Sequence, residues 1–247
     1  MRKLFRIVLL AAMAILLTSC SFVNRMFPEK IDPDTLNYIS TVVLNSNLKI
    51  KTVTYTKLFN TEIPGPYTGT GSGVIIKKQD NFYYLLTNQH VVMLSVDYSH
   101  RYIVEDVYNN VTAATLVASD EAYDLAVLKF ESTEDMHVME LATSNPIVGE
   151  LVFSIGSPSG KHNIITAGKI LSYNTINNVD YEIIVHDAVI RYGSSGSMLI
   201  NDSFEIVGLN TWGFDDDETT VEEYVVGGAT PTEKIIEFLE ANGFTVE

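Results

Sequence analysis

The sequence predicts an all-β protein, a barrel or sandwich of short strands with one helix at its end, on three observations. Short runs of β-branched and aromatic residues recur along the chain, among them "GVII", "FYYLLT", "LAVLKF" and "LVFSIG". Clusters of Gly, Asn, Asp, Ser and Pro separate them at fairly regular spacing, the punctuation of antiparallel strands joined by tight turns. No long stretch of 3.6-residue periodicity interrupts them, which disfavours a parallel βαβ arrangement. With 247 residues, 46% of them apolar and 13 Tyr and 11 Phe among these, the chain can bury one sizeable core or two smaller ones sharing an interface.

The N-terminus reads as a targeting segment. "MRKLFR" is basic and Ile7 to Leu17 is an apolar run of 11 residues, short of the roughly 20 a bilayer-spanning helix needs. Leu17-Thr18-Ser19-Cys20 resembles a bacterial lipobox, and Cys20 is the only cysteine, so no internal disulfide can form. The motif implies a lipoprotein signal peptide over residues 1–19 and a diacylglyceryl group on Cys20. Two acyl chains suffice for stable anchoring. Residues 20–36, polar and carrying Pro28 and Pro33, are expected to form a tether.

Strands are expected next at "STVVL", "GVII", "FYYLLT", "ATLVAS", "LAVLKF", "LVFSIG", "NIITAGKILSY", "YEIIVHDAVI", "SMLI", "EIVGLNTW" and "EYVVGGA". One helix is expected over about 230–242, packed across the outside of the β core. Thr230 is its N-cap, Pro231 its first position, Glu233 the residue three after the cap, and Gly243 its stop. Ile235, Ile236 and Leu239 form its apolar face. The formal charge is −15, and −18 if Arg2, Lys3 and Arg6 leave with the signal peptide. An acidic chain repels phosphate backbones, so nucleic acid is not an expected partner.

Chemistry concentrates at three positions. His90 lies in "LLTNQHVV", a polar ring between apolar runs, and Asp124 opens the buried-looking strand "DLAVLKF". Ser195 sits in "RYGSSGSML", between Gly193 and Gly196. Each alone has a structural reading, as a satisfied core histidine, a strand-entry cap and a small-residue turn. Together they offer what nucleophilic catalysis requires. A serine hydroxyl needs a histidine to accept its proton, and the histidine needs a carboxylate to fix its tautomer. The chain order is His90, Asp124, Ser195, with separations of 34 and 71 residues. Neither HExxH nor any Cys/His pattern occurs, so no metal site and no cofactor are expected.

These blocks resemble the chymotrypsin-fold serine proteases, in particular the bacterial HtrA (Deg) branch. "GTGSGVII" with "LLTNQHVV", then "DLAVLKF", "VGELVFSIGSPSGKHNIITAGKILS" and "HDAVIRYGSSGSMLINDSFEIVGLNT" are similar to that family's segments in order, from about Thr68 to Thr211. The resemblance implies two antiparallel Greek-key β-barrels, the first over about 37–140 and the second over about 141–229, with a cleft between them. His90 is then the base, Asp124 its orienting carboxylate, Ser195 the nucleophile, and the N–H groups of Gly193 and Ser195 the oxyanion hole. Beyond the terminal helix no PDZ segment of the HtrA type is expected.

Two positions depart from the family's Gly-Asn-Ser-Gly-Gly. Ser194 replaces Asn and Ser197 replaces the last Gly, the latter as in the resembling glutamyl endopeptidases. The histidine with which those enzymes hold a P1 glutamate is absent, Asn210 standing nearest its place. Val189 occupies the position where trypsin-like enzymes carry an acid. A small or medium apolar P1 residue is therefore expected, with Val189, Asn210 and Thr211 as substrate-binding candidates. The acidic stretch 215–223 reads as a solvated loop, with attraction of basic peptides or calcium as alternatives. The expected function is a membrane-anchored, extracytoplasmic serine endopeptidase acting on envelope polypeptides from a cell membrane or outer membrane. The alternative is a catalytically silent protease-fold lipoprotein that binds peptides or partner proteins.

Overall fold

Alternating side chains curl two six-stranded antiparallel sheets into closed barrels, each with its own interior and a third core between them. The computed structural model describes residues 31–59, 61–158, 163–214, 223–224 and 226–245. The signal peptide, Cys20, the tether to residue 30, His162 and most of the acidic stretch lie outside the described residues.

The first barrel runs β1 (Asn47–Leu58), β2 (Thr61–Gln79), β3 (Phe82–Thr87), β6 (Leu125–Glu131), β5 (Val111–Asp120) and β4 (Ser99–Glu105), and β4 closes back on β1. A four-residue helix, α2 (Gln89–Val92), follows β3. The second barrel runs β7 (Leu151–Gly156), β8 (Ile164–Asn174), β9 (Ile183–His186), β14 (Val226–Pro231), β12 (Ile206–Phe214) and β11 (Met198–Ile200), and β11 closes on β7. A short side ribbon pairs β10 (Ile190–Arg191) with β13 (Glu223–Tyr224).

Period-2 alternation lets one strand feed two cores. In β3, Tyr83 and Leu85 fill the first barrel while Leu86 faces the second; in β6, Leu128 and Phe130 point inward while Leu125 and Val127 join the inter-barrel core. In the second barrel, Val152, Leu199 and Val207 pack inside, while Phe153, Ile155, Met198 and Ile206 meet the first barrel. The barrels therefore share a continuous apolar interface, which fixes their relative position.

Two helices seal that interface. α1 (Pro33–Thr41) begins at Asp32, whose Oδ2 accepts from the Thr35 N–H at 3.0 Å; it buries Ile39 and lays Tyr38 against Phe204 with ring centroids 4.3 Å apart. α3 (Thr232–Ala241) buries Ile235, Phe238 and Leu239 in the same core.

Four expectations are corrected here. The tether expected over 20–36 ends earlier, because Asp32 caps and Pro33 starts α1. "STVVL" is the end of that helix plus a 3₁₀ turn, Val43–Ser46, rather than a strand. β1 and β4 form where no strand was expected. The terminal helix starts at Thr232 with Pro231 as its cap, since Thr230 still pairs with Leu209 in the sheet. No helix among the described residues is long and apolar enough to cross a membrane.

Candidate active site

His90 is presented by α2 at the mouth of the first barrel, immediately after β3 ends at buried Thr87 and buried Asn88 caps the helix. Asp124 grips it at two points. Its Oδ1 accepts the His90 backbone N–H at 2.9 Å, and its Oδ2 lies 2.6 Å from His90 Nδ1. With Nδ1 carrying the proton toward that carboxylate, Nε2 keeps its lone pair and faces away as an acceptor. Side-chain exposure is 47% for His90 and 20% for Asp124, so the ring opens to solvent while the carboxylate is largely covered.

Asp124 reaches this geometry through a left-handed backbone, φ +50°, a conformation Asp tolerates better than most residues. Hydrogen bonds hold the turn from both sides. Asn88 Nδ2 and the Gln89 N–H donate to the Asp124 carbonyl at 2.9 and 3.1 Å. Across the barrel interface, the Tyr181 hydroxyl donates to the Tyr123 carbonyl at 3.2 Å. Burial, with help from the Asp124 charge, pushes the Tyr181 phenol up, so it remains a donor.

Ser195 arrives from the second barrel. Residues 191–194 close a turn in which the Ser194 N–H donates to the Arg191 carbonyl at 2.9 Å. Gly193 has φ +88° and Gly196 +80°. At Gly196 a Cβ would lie 2.2 Å from the Ser72 carbonyl and 2.4 Å from Thr87 Oγ1, so only glycine fits. The same approach brings the Ser195 loop onto the strand end that leads to His90. The Ser72 N–H donates to the Ser195 carbonyl at 2.8 Å, and that carbonyl and Val91 both crowd Gly71. The N–H groups of Gly193 and Ser195 take no hydrogen-bond partner among the described residues.

The two departures from the family pattern have local partners. Ser194 Oγ accepts the Arg191 N–H at 3.1 Å, tightening the turn from within. Ser197 is fully buried and points into the second barrel, where Asn210 Nδ2 donates to its Oγ at 2.9 Å. Gly156 makes room, since a Cβ there would stand 2.4 Å from that of Ser197.

Among the tentative substrate-binding residues, Val189 is half-buried, and its carbonyl accepts from Thr166 Oγ1 at 2.8 Å. Thr211 Oγ1 accepts from Asn88 Nδ2 at 2.9 Å and donates to the Leu209 carbonyl at 3.0 Å. Asn210 is fully buried, its amide spent on Ser154, Ser197 and His186. His186 is fully buried too, and burial holds its pKa down at about 4. His100 Nε2 accepts the Leu94 N–H at 3.1 Å, pinning the chain that leaves α2; burial lowers its pKa.

Sequence reasoning missed Ser72, Asn88 and Tyr181. The first two lie in "GTGSGVII" and "LLTNQHVV", buried polar residues among glycines and other polar residues that give no local signal of burial. Tyr181 has no local signal, because its partner lies 58 positions away.

A two-barrel fold, with a paired imidazole and carboxylate on the first barrel and a serine loop from the second docked against that barrel, defines the class, the chymotrypsin-type serine protease domain. The match to a family model is direct: residues 71–209 fit the trypsin-like peptidase domain. The chain belongs to that family, as an HtrA-like member.

A probable periplasmic serine endoprotease, DegP-like, of Buchnera aphidicola is 31% identical over 60% of this chain and 31% of its own length. The serine endoprotease DegS of Escherichia coli K12 is 33% identical over 65% and 44%. The chain thus spans less than half the length of these curated relatives. Among solved structures, a serine endoprotease from Yersinia pestis is 28% identical with a TM-score of 0.64, covering 86% of this chain and 68% of that one. The HtrA-type protease AlgW with a decapeptide is 26% identical with a TM-score of 0.67, covering 84% and 67%.

Proposed function

We propose that the protein is a serine endopeptidase that hydrolyses peptide bonds through Ser195, His90 and Asp124. The observation that carries this reading is the double grip of Asp124 on His90, ring and backbone together, joined with a serine loop whose Gly193 and Ser195 N–H groups are unengaged among the described residues. Ser195 Oγ attacks the scissile carbonyl while His90 Nε2 takes its proton; the imidazolium, stabilised by Asp124, then protonates the leaving amine. Water enters by the reverse sequence, with His90 again the base, and releases the acyl group. The oxyanion of each tetrahedral intermediate accepts hydrogen bonds from Gly193 and Ser195. No step needs a cofactor.

The relatives' printed names, periplasmic and DegS-type endoproteases, support extracytoplasmic action on polypeptides, and the peptide bound in a solved neighbour supports that substrate class. Together with the lipobox ending at Cys20, they support a lipid-anchored enzyme processing or clearing envelope proteins. A fluorophosphonate probe tests the chemistry. Labelling of the folded protein that disappears in Ser195→Ala is expected; absence of labelling of folded wild type overturns the reading and leaves a peptide-binding lipoprotein.

A further inference from the structure

The two N–H groups assigned above to the oxyanion hole belong to Gly193 and Ser195, and the carbonyls of those same two residues are held by one residue of the other barrel. Ser72, on β2 and fully buried, donates its backbone N–H to the Ser195 carbonyl at 2.8 Å and its hydroxyl to the Gly193 carbonyl at 3.0 Å. Its hydroxyl has one proton, and the direction of that proton is dictated. The Ser157 N–H, just past β7, donates to Ser72 Oγ at 2.8 Å, so the oxygen acts as acceptor there and must send its proton to Gly193. Ser72's own carbonyl is fixed by Thr87 Oγ1 at 2.7 Å. Every polar atom of Ser72 is therefore engaged, in a dry environment where misdirected groups are costly.

We infer that Ser72 is a positioning residue for the oxyanion hole, a two-point clamp that holds Gly193 and Ser195 at the spacing their N–H groups need. The inference rests on the proposed endopeptidase activity and deepens it. Ser72 touches no substrate. It acts by restraining the loop whose donors do, and preorganised donors count because they cost no rearrangement as charge develops. The clamp spans β2, the segment after β7 and the nucleophile loop, so the hole is formed whenever the barrels are docked.

Ser72→Ala keeps the backbone half of the clamp and removes the hydroxyl half, leaving the Gly193 carbonyl and Ser157 N–H without their partner. Deleting a whole oxyanion donor costs on the order of 10²–10³ in kcat, so loosening the pair is expected to lower kcat about 10- to 100-fold. KM for a peptide substrate should stay within about two-fold, since the hole acts mainly on the transition state. A peptide boronate, which places an anionic oxygen in the hole, should bind Ser72→Ala more weakly by a factor similar to the fall in kcat.

Rates are taken per active site, counted by fluorophosphonate titration. A merely structural role would reduce the number of titratable sites and leave kcat per site and boronate affinity as in wild type, which overturns the proposal. Should Ser72→Ala not fold, Ser72→Cys keeps the volume with a weaker donor, and an undiminished kcat per site there refutes the clamp equally. Wild type that neither labels nor cleaves overturns the underlying activity and the clamp with it, whereas active wild type beside an equally active Ser72→Ala overturns the clamp alone.

Discussion

Replacing His186 with Gln should flatten the acid sensitivity of the fold. His186 is fully buried at the end of the second barrel, with Nε2 2.8 Å from Asn210 Oδ1, so the neutral ring donates there. Burial strips water from the imidazolium and holds the pKa down from 6.5 to about 4, against smaller upward pulls from Asn210, Asp187 and the Ala188 backbone. A depressed pKa in the folded state means the unfolded chain binds the proton first. Stability is therefore full above pH 6.5, falls as pH drops from 6.5 toward 4, and levels off below, where both states are protonated. Over that window, at about 1.36 kcal/mol per unit, the loss is about 3 kcal/mol, a large part of a typical domain's 5–15 kcal/mol. Urea denaturation across the window, in wild type and His186→Gln, reads the difference. Carboxylates, and His100 and His137 with their own burial-lowered pKa values, contribute to both proteins and cancel. Parallel stability-versus-pH curves for the two proteins would refute the reasoning, whatever their vertical offset.

Two further outcomes follow from the site. Asp124→Asn should lower kcat by about 10⁴, because an amide facing His90 Nδ1 favours the wrong tautomer; steady-state kinetics check this, and activity within ten-fold of wild type contradicts the assigned role. Tyr181→Phe removes a cross-barrel donor to the Tyr123 carbonyl at 3.2 Å and the 3.3 Å hydroxyl contact with Thr230 Oγ1, and should cost about 1 kcal/mol of stability in urea denaturation. An unchanged midpoint would show that the contact holds nothing.

Much of this architecture is legible in the chain because its signals are local. β3, β6 and β7 announce themselves as apolar runs, and His90, Asp124 and Ser195 stand at the ends of such runs where motifs are read without knowing the fold. What escaped is what depends on distant partners. β1 carries Lys49, Lys51 and Lys57 between its apolar residues, so its inward face of Leu48 and Ile50 is diluted in sequence though fully used in space. α1 is nine residues long with one buried side chain, too short for a helical period to show, although Asp32-Pro33 is a usable start signal. Thr230 looks like a helix cap and is claimed instead by the sheet, where pairing outweighs local preference. Ser197 looked like a flaw beside the nucleophile; its partners Asn210 and Gly156 lie 13 and 41 positions away.

The hydrogen bonds from Ser72 to the serine loop, from Asn88 to Thr211 and from Tyr181 to Tyr123 all join one barrel to the other. A chain emerging from its N-terminus completes the first barrel with His90 and Asp124 in place while Ser195 is still unmade. When the second barrel has formed but not docked, Ser195 stands apart from His90 and Asp124. Under the proposed mechanism, proteolytic competence switches on at the last assembly step, and half-built copies are left unable to digest one another.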